Sequence, residues 1–115
     1  MKGIYSLVLL AVFISLSACA TMQGGTNVSA GREALFAGNN QAALTDFQSA
    51  AQQDPNYVYG TELREGILSY LGRAQYLTGN LGQARQTLER ALSQHQGDNV
   101  ARLYLGLTRV RLGDR

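Results

Sequence analysis

"LTGNLGQARQTLERA", residues 77–91, decides the fold, because an offset counterpart, "FAGNNQAALTDFQSA", occupies residues 36–50. Aligned on Gly79 and Gly38, both strings place alanine five positions on (Ala84, Ala43) and a large apolar residue four beyond that (Leu88, Phe47). A second alanine follows three further along (Ala91, Ala50). A shorter string, "RLGDR" at 111–115, has Gly113 in the same place. Seven residues before each of these glycines stands another glycine: Gly31, Gly72 and Gly106.

Spacings of three and four put small and large apolar residues on one face of a helix. A glycine closing such a run suits the left-handed conformation at a helix C-terminus. Asn39 and Asn80, next in sequence, are residue types that cap or enter a following helix. The pattern predicts helices at 28–37, 41–53, 61–78, 82–95 and 99–112, and no alternating strand pattern competes. In each helical pair, Ala43 and Ala50, or Ala84 and Ala91, let the backbone approach Gly31 or Gly72. Phe47 and Leu88 fill the space that remains.

These residues resemble the tetratricopeptide repeat, whose signature is L-G-x2-Y, then A-x3-F, then A, then P. The pattern lies on "AGREA", "LGRAQ" and "LGLTR", then on "ALTDF" and "ARQTL", across residues 27–115. Gly79 to Gly113 is 34 residues, the period of the family, whereas Gly38 to Gly79 is 41. The seven extra residues fall around "NYVYGTEL", after Pro55. About two helical turns of insertion would lengthen the first helix of the second repeat while leaving its apolar face in phase. The expected tyrosine is replaced by Ala34, Gln75 or Arg109, and the closing proline is Pro55 once and Gln96 once. The resemblance implies an all-α, short helical-hairpin solenoid of about two and a half repeats, following a cleaved signal peptide. The third unit has only its first helix. Either that helix caps the solenoid, with Arg102 and Arg109 solvating one face, or the chain is a piece of a longer product.

The first residues have a different character. Lys2 is followed by the apolar run Ile4 to Leu16, "IYSLVLLAVFISL". At about 1.5 Å per residue that run is roughly 20 Å long, too short to cross a hydrocarbon core of about 30 Å. A charge, a short apolar run and then small residues make the layout of a secretory signal peptide. The sequence Leu16-Ser17-Ala18-Cys19 uses the only cysteine of the chain and resembles the lipobox of bacterial lipoproteins. That resemblance implies cleavage after residue 18, a lipidated N-terminus and tether at 19–26, and a covalent lipid on Cys19. Two or three acyl chains, at about 0.8 kcal/mol per buried methylene, anchor stably where one does not. Ala20 rather than aspartate after the cysteine implies, for a Gram-negative source, an outer-membrane lipoprotein facing the periplasm.

Ten basic and eight acidic residues in 115 leave a formal charge of +2, which makes no electrostatic case for nucleic acid. A single cysteine excludes an internal disulfide framework. His95 is the only histidine, so no metal-site constellation is expected. No catalytic set is visible either. Glu62 and Glu65 read as charges at a helix start, and Ser69 and Ser93 lack a base. No cofactor or small-molecule substrate is expected.

What remains is surface. In the tetratricopeptide family the first helices of successive repeats line a concave groove for peptides or partner helices. Phase then places Arg32, Ser69, Arg73, Tyr76 and Leu107 on that groove, with Arg32, Arg73 and Leu107 in equivalent positions. The expectation is a lipid-anchored, non-enzymatic adaptor that binds protein or peptide partners in an envelope secretion, pilus, export or outer-membrane machine. The alternative is a regulator that recruits an envelope enzyme such as a cell-wall hydrolase.

Overall fold

The computed structural model describes residues 27–60 and 64–114. The expected signal peptide, Cys19, the expected tether and Glu62 lie outside the described residues. Five helices follow one another: α1 at 27–36, α2 at Asn40–Gln53, α3 at Ile67–Leu77, α4 at Leu81–Gln94 and α5 at Asn99–Arg111. A two-stranded antiparallel hairpin, β1 Val58–Tyr59 and β2 Glu65–Gly66, sits between α2 and α3. Each helix packs on its neighbour, and α3 also meets α5 directly. First helices of successive repeats are therefore in contact, as in a solenoid.

The helix ends are built alike. Gly38, Gly79 and Gly113 have φ of +77°, +82° and +82°. The amide after each glycine reaches back to the last helical turn: Asn39 to Ala34, Asn80 to Gln75 and Asp114 to Arg109, at 2.8, 2.8 and 2.9 Å. Orphan carbonyls are thereby satisfied. The helix starts differ. Asn39 accepts from the Ala42 amide and Asp98 from the Ala101 amide. Asn80 makes no such cap and donates instead to Thr78 Oγ1 at 2.8 Å.

The core follows the small-residue logic. Ala43, Phe47 and Ala50 of α2 and Ala84, Leu88 and Ala91 of α4 are all buried. A Cβ placed on Gly31 would fall within 2.9 Å of three Phe47 ring atoms, and one on Gly72 would collide with the Leu88 side chain. Phe47 also stacks on Tyr70 of α3, 5.1 Å between centroids, which ties the first repeat to the second.

One expectation is corrected. The helix predicted from residue 61 begins only at Ile67. The extra residues form the hairpin, with Val58 opposite Gly66 and Tyr59 opposite Glu65. A β-branched residue and a tyrosine suit the pleated backbone, and Gly60 takes a φ of +91° that a helix could not use. The junction is held by local bonds. Asp54 Oδ1 accepts from the Asn56 amide at 3.0 Å, and Gln94 of α4 donates to Asn56 Oδ1 at 3.1 Å. The Tyr57 carbonyl accepts from the Ile67 amide at 2.8 Å, satisfying a donor that the N-cap Gly66 has no side chain to meet.

Candidate functional site

The hairpin closes one side of a pocket of about 670 Å³. Arg32, Leu35 and Phe36 of α1 form one wall, and Tyr59, Gly60, Arg64 and Glu65 of the hairpin a second. Tyr70 and Arg73 of α3 and the Gly97–Val100 junction complete it. Both repeats and both junctions therefore contribute to one site.

Each charged wall residue is positioned by a neighbour. The Arg32 guanidinium lies 4.3 Å from the Tyr59 ring centroid and 5.9 Å from that of Phe36. Tyr59 is held in turn edge-on to Tyr70 at 6.5 Å, so an aromatic chain runs from the core residue Phe47 to the pocket arginine. Arg73 stands 4.0 Å from Glu65 Oε1 and 5.7 Å from the Tyr104 ring centroid. Arg64 is exposed at the rim. Phe36, 81% exposed, provides an apolar lip.

The floor carries the acids. Ser69 is fully buried, its hydroxyl 3.2 Å from Glu65 Oε1 and 3.4 Å from Asp98 Oδ1. The single hydroxyl proton of Ser69 is shared between these two carboxylate oxygens. Asp98 is committed as the α5 cap. Glu65 is the group pushed toward protonation: burial raises its pKa above the ordinary 4.5, against the opposing pull of the Tyr70 hydroxyl and the Arg73 charge. Burial, with help from the Glu65 charge, also pushes Tyr70 up to about 12, which keeps its phenol protonated. Three arginines line the pocket above Glu65 and Asp98, and with Phe36 and Tyr59 beside them the pocket suits a ligand with an anionic group and an apolar side chain.

The residues expected on the groove divide here. Arg32 and Arg73 line the same pocket. Ser69 lies beneath it, consumed by internal hydrogen bonds. Tyr76 packs edge-on against Tyr104 at 5.5 Å and is not part of the lining, although only one helical turn separates it from Arg73. Leu107 is 39% exposed on α5, also outside the pocket. Tyr59, Arg64, Glu65 and Asp98 were missed. Arg64 and Glu65 fall in the stretch read as helix from residue 61 and Tyr59 in the junction just before it, while "GDN" at 97–99 carries the signal of a helix cap that points to Asp98.

His95 ends α4 as its C-cap residue and, with Val58 and Gly66, borders a smaller cavity of about 210 Å³ behind the hairpin. Among the described residues, no three histidine, cysteine or acidic side chains are gathered to hold a metal. No described helix is long and apolar enough to cross a membrane.

Stacked helical hairpins with first helices of successive repeats in contact define a short α-solenoid. The tetratricopeptide repeat model matches residues 34–105, and the chain belongs to that family. Members of the family are protein-interaction scaffolds, and protein partners are the ligands this fold serves. No match was found among curated proteins.

Proposed function

We propose that this chain is a lipid-anchored envelope adaptor that captures partner proteins through the pocket between its two repeats. The observation that carries the reading is the convergence of Arg32, Arg64 and Arg73 with Tyr59 and Phe36 on one hollow. The matching ligand is a peptide segment with a carboxylate beside an apolar side chain. The carboxylate pairs with the arginines and the apolar group rests on Phe36 and Tyr59. Arginine and tyrosine are the residue types that most often carry interface energy.

The lipobox at 16–19 supports attachment through Cys19, and Ala20 supports sorting to the outer membrane, facing the periplasm, in a Gram-negative cell. There the adaptor holds components of an envelope assembly or export machine. Mass spectrometry of the mature protein should find an acylated Cys19 as its first residue, and an unmodified thiol there refutes the anchor.

Capture is tested with Arg32→Gln combined with Arg64→Glu, because Arg73→Glu would set a second carboxylate against Glu65 and disturb the fold. The pair should abolish co-purification of envelope partners while helical content and melting stay close to wild type. Arg90→Glu, on the exposed side of α4, is the control. Loss of capture in Arg90→Glu with retention in the double variant would move the partner to the convex face.

A further inference from the structure

The chain supplies an anion of its own to the pocket. Glu65 comes from the hairpin that the insertion builds, opposite Tyr59 in the strand pairing, and lines the hollow beside the arginines. Its carboxylate stands 4.0 Å from Arg73 Nη1, and its side chain is 14% exposed. Any ligand anion that engages Arg73 therefore arrives next to Glu65. Two negative charges so close oppose each other, and a proton on one of them removes the repulsion.

The surroundings select Glu65 over Asp98 for that proton. Asp98 accepts the Ala101 amide at 2.9 Å as the cap of α5, a bond that favours its charged form. Glu65 shares the Ser69 hydroxyl with Asp98 and stands beyond hydrogen-bond distance of Arg73. Burial already pushes its pKa above 4.5, against the Tyr70 hydroxyl and the Arg73 charge. The charged and titratable groups around it are Tyr59 and Arg64 of the hairpin, Tyr70 and Arg73 of α3, Arg32 of α1, and Asp98. His95 of α4 lies behind the hairpin, against Gly66 and on the smaller cavity. With both lining carboxylates ionised, three arginines face two acids; a proton on Glu65 leaves them facing one.

We propose that Glu65 competes with the ligand's anionic group for Arg73, and that capture in this pocket takes up a proton onto Glu65, so that affinity rises as the medium becomes more acidic. This coupling rests on the reading of the pocket as a capture site and adds its regulation. Linkage is reciprocal: an anion that tightens the hold of Glu65 on a proton is itself held more tightly by the protonated chain. Affinity is full below the pKa of Glu65 in the free chain. It falls as pH rises, by at most about tenfold per unit, and levels off above the higher pKa in the complex.

The test uses the full mature chain in an uncharged detergent and a labelled, acetylated peptide in which cysteic acid follows phenylalanine. The sulfonate keeps its charge throughout, so the probe brings no titration of its own. Affinity should fall about fivefold or more from about pH 4 to about pH 8. Calorimetry in two buffers of unlike ionisation enthalpy should show a proton taken up by the wild-type chain on the falling part of that curve, a readout that needs no variant to fold. Glu65→Gln should bind at every pH as wild type does in acid, and should take up no proton. His95→Gln, outside this pocket, should leave the pH dependence intact. Arg32→Gln with Arg64→Glu should remove binding, which places the probe in the pocket. Binding by wild type that is equal at every pH, or a pH dependence that persists in Glu65→Gln, overturns the coupling and leaves the capture reading standing. No binding by wild type at any pH, or binding that survives the arginine pair, overturns both.

Discussion

Helices α3 and α5 are equivalent first helices of successive repeats and meet different fates. In α3, Ile67, Leu68, Ser69, Tyr70, Leu71, Gly72, Ala74 and Gln75 are buried; in α5 only Ala101, Leu105 and Thr108 are. The difference arises from what lies alongside. Helix α3 has α2 on one side, α4 folded back on it and α5 beyond, whereas the main contacts of α5 among the described elements are with α3 and α4. A solenoid repeat cannot bury its own faces; its neighbours do so. Equivalent glycines therefore carry different meanings. Gly72 is a steric requirement, and Gly106 is an open site in an exposed stretch of helix.

The largest expected effect breaks this comparison at the glycines. Gly72→Leu drives a side chain into Leu88 and should cost about 1–3 kcal/mol, a large share of the stability of so short an array. Gly106→Leu has no such collision, and replacing glycine within a helix should contribute up to about 1 kcal/mol. Thermal melting of the two variants should move in opposite directions. If both melt alike, the two glycines are not structural equivalents in different surroundings.

A second prediction sharpens the comparison at the helix starts, where Ser69 joins α3 to α5. Burial raises the pKa of Glu65 above 4.5, so the folded chain holds that proton more tightly than the unfolded one. The stability this contributes is complete below the ordinary value and is lost as pH rises through the higher folded-state value. Glu65→Gln is neutral throughout and escapes the loss. Its melting temperature relative to wild type should rise as pH increases from below 4.5 and then level off. A difference that stays constant with pH removes Glu65 from this role.

The smallest effect is at the far end of α5. Arg85 and Asp114, 3.3 Å apart and both well exposed, form the kind of surface pair worth at most about 1 kcal/mol. Asp114→Asn should shift melting barely at all and leave helical content unchanged. A large loss would mean that the C-terminal turn contributes to packing as α4 does.

Much of the fold was legible because its determinants are local. Gly38, Gly79 and Gly113 announce helix ends through a backbone conformation that glycine adopts without strain. The alanine, phenylalanine and leucine spacing likewise identifies the buried faces of α2 and α4 before any contact is known. The hairpin was not legible. Seven residues preserve helical phase almost as well as they form a turn, and Val58–Tyr59 is too short a strand to show alternation. That single ambiguity also concealed Tyr59, Arg64 and Glu65, half of the pocket's chemistry. Arg32 and Arg73, placed on one face by repeat phase, line the same pocket. Tyr76, one turn from Arg73, packs on Tyr104 and is not among the residues lining this pocket.

The polar outer face expected of a capping α5 was also revised. Arg102 and Arg109 are exposed as expected, but they flank a stripe of Leu103, Leu107 and Val110. The sequence by itself determined the repeat, its helix ends and its close-packed glycines, since each depends on backbone conformation and side-chain size within a few residues. Tertiary structure decided which residues form the pocket, that Ser69 lies under it rather than in it, and how differently the equivalent faces of α3 and α5 are buried. Those outcomes depend on which segment lies beside which, and a side chain acquires its role from neighbours far along the chain, as Ser69 does from Asp98, 29 residues on.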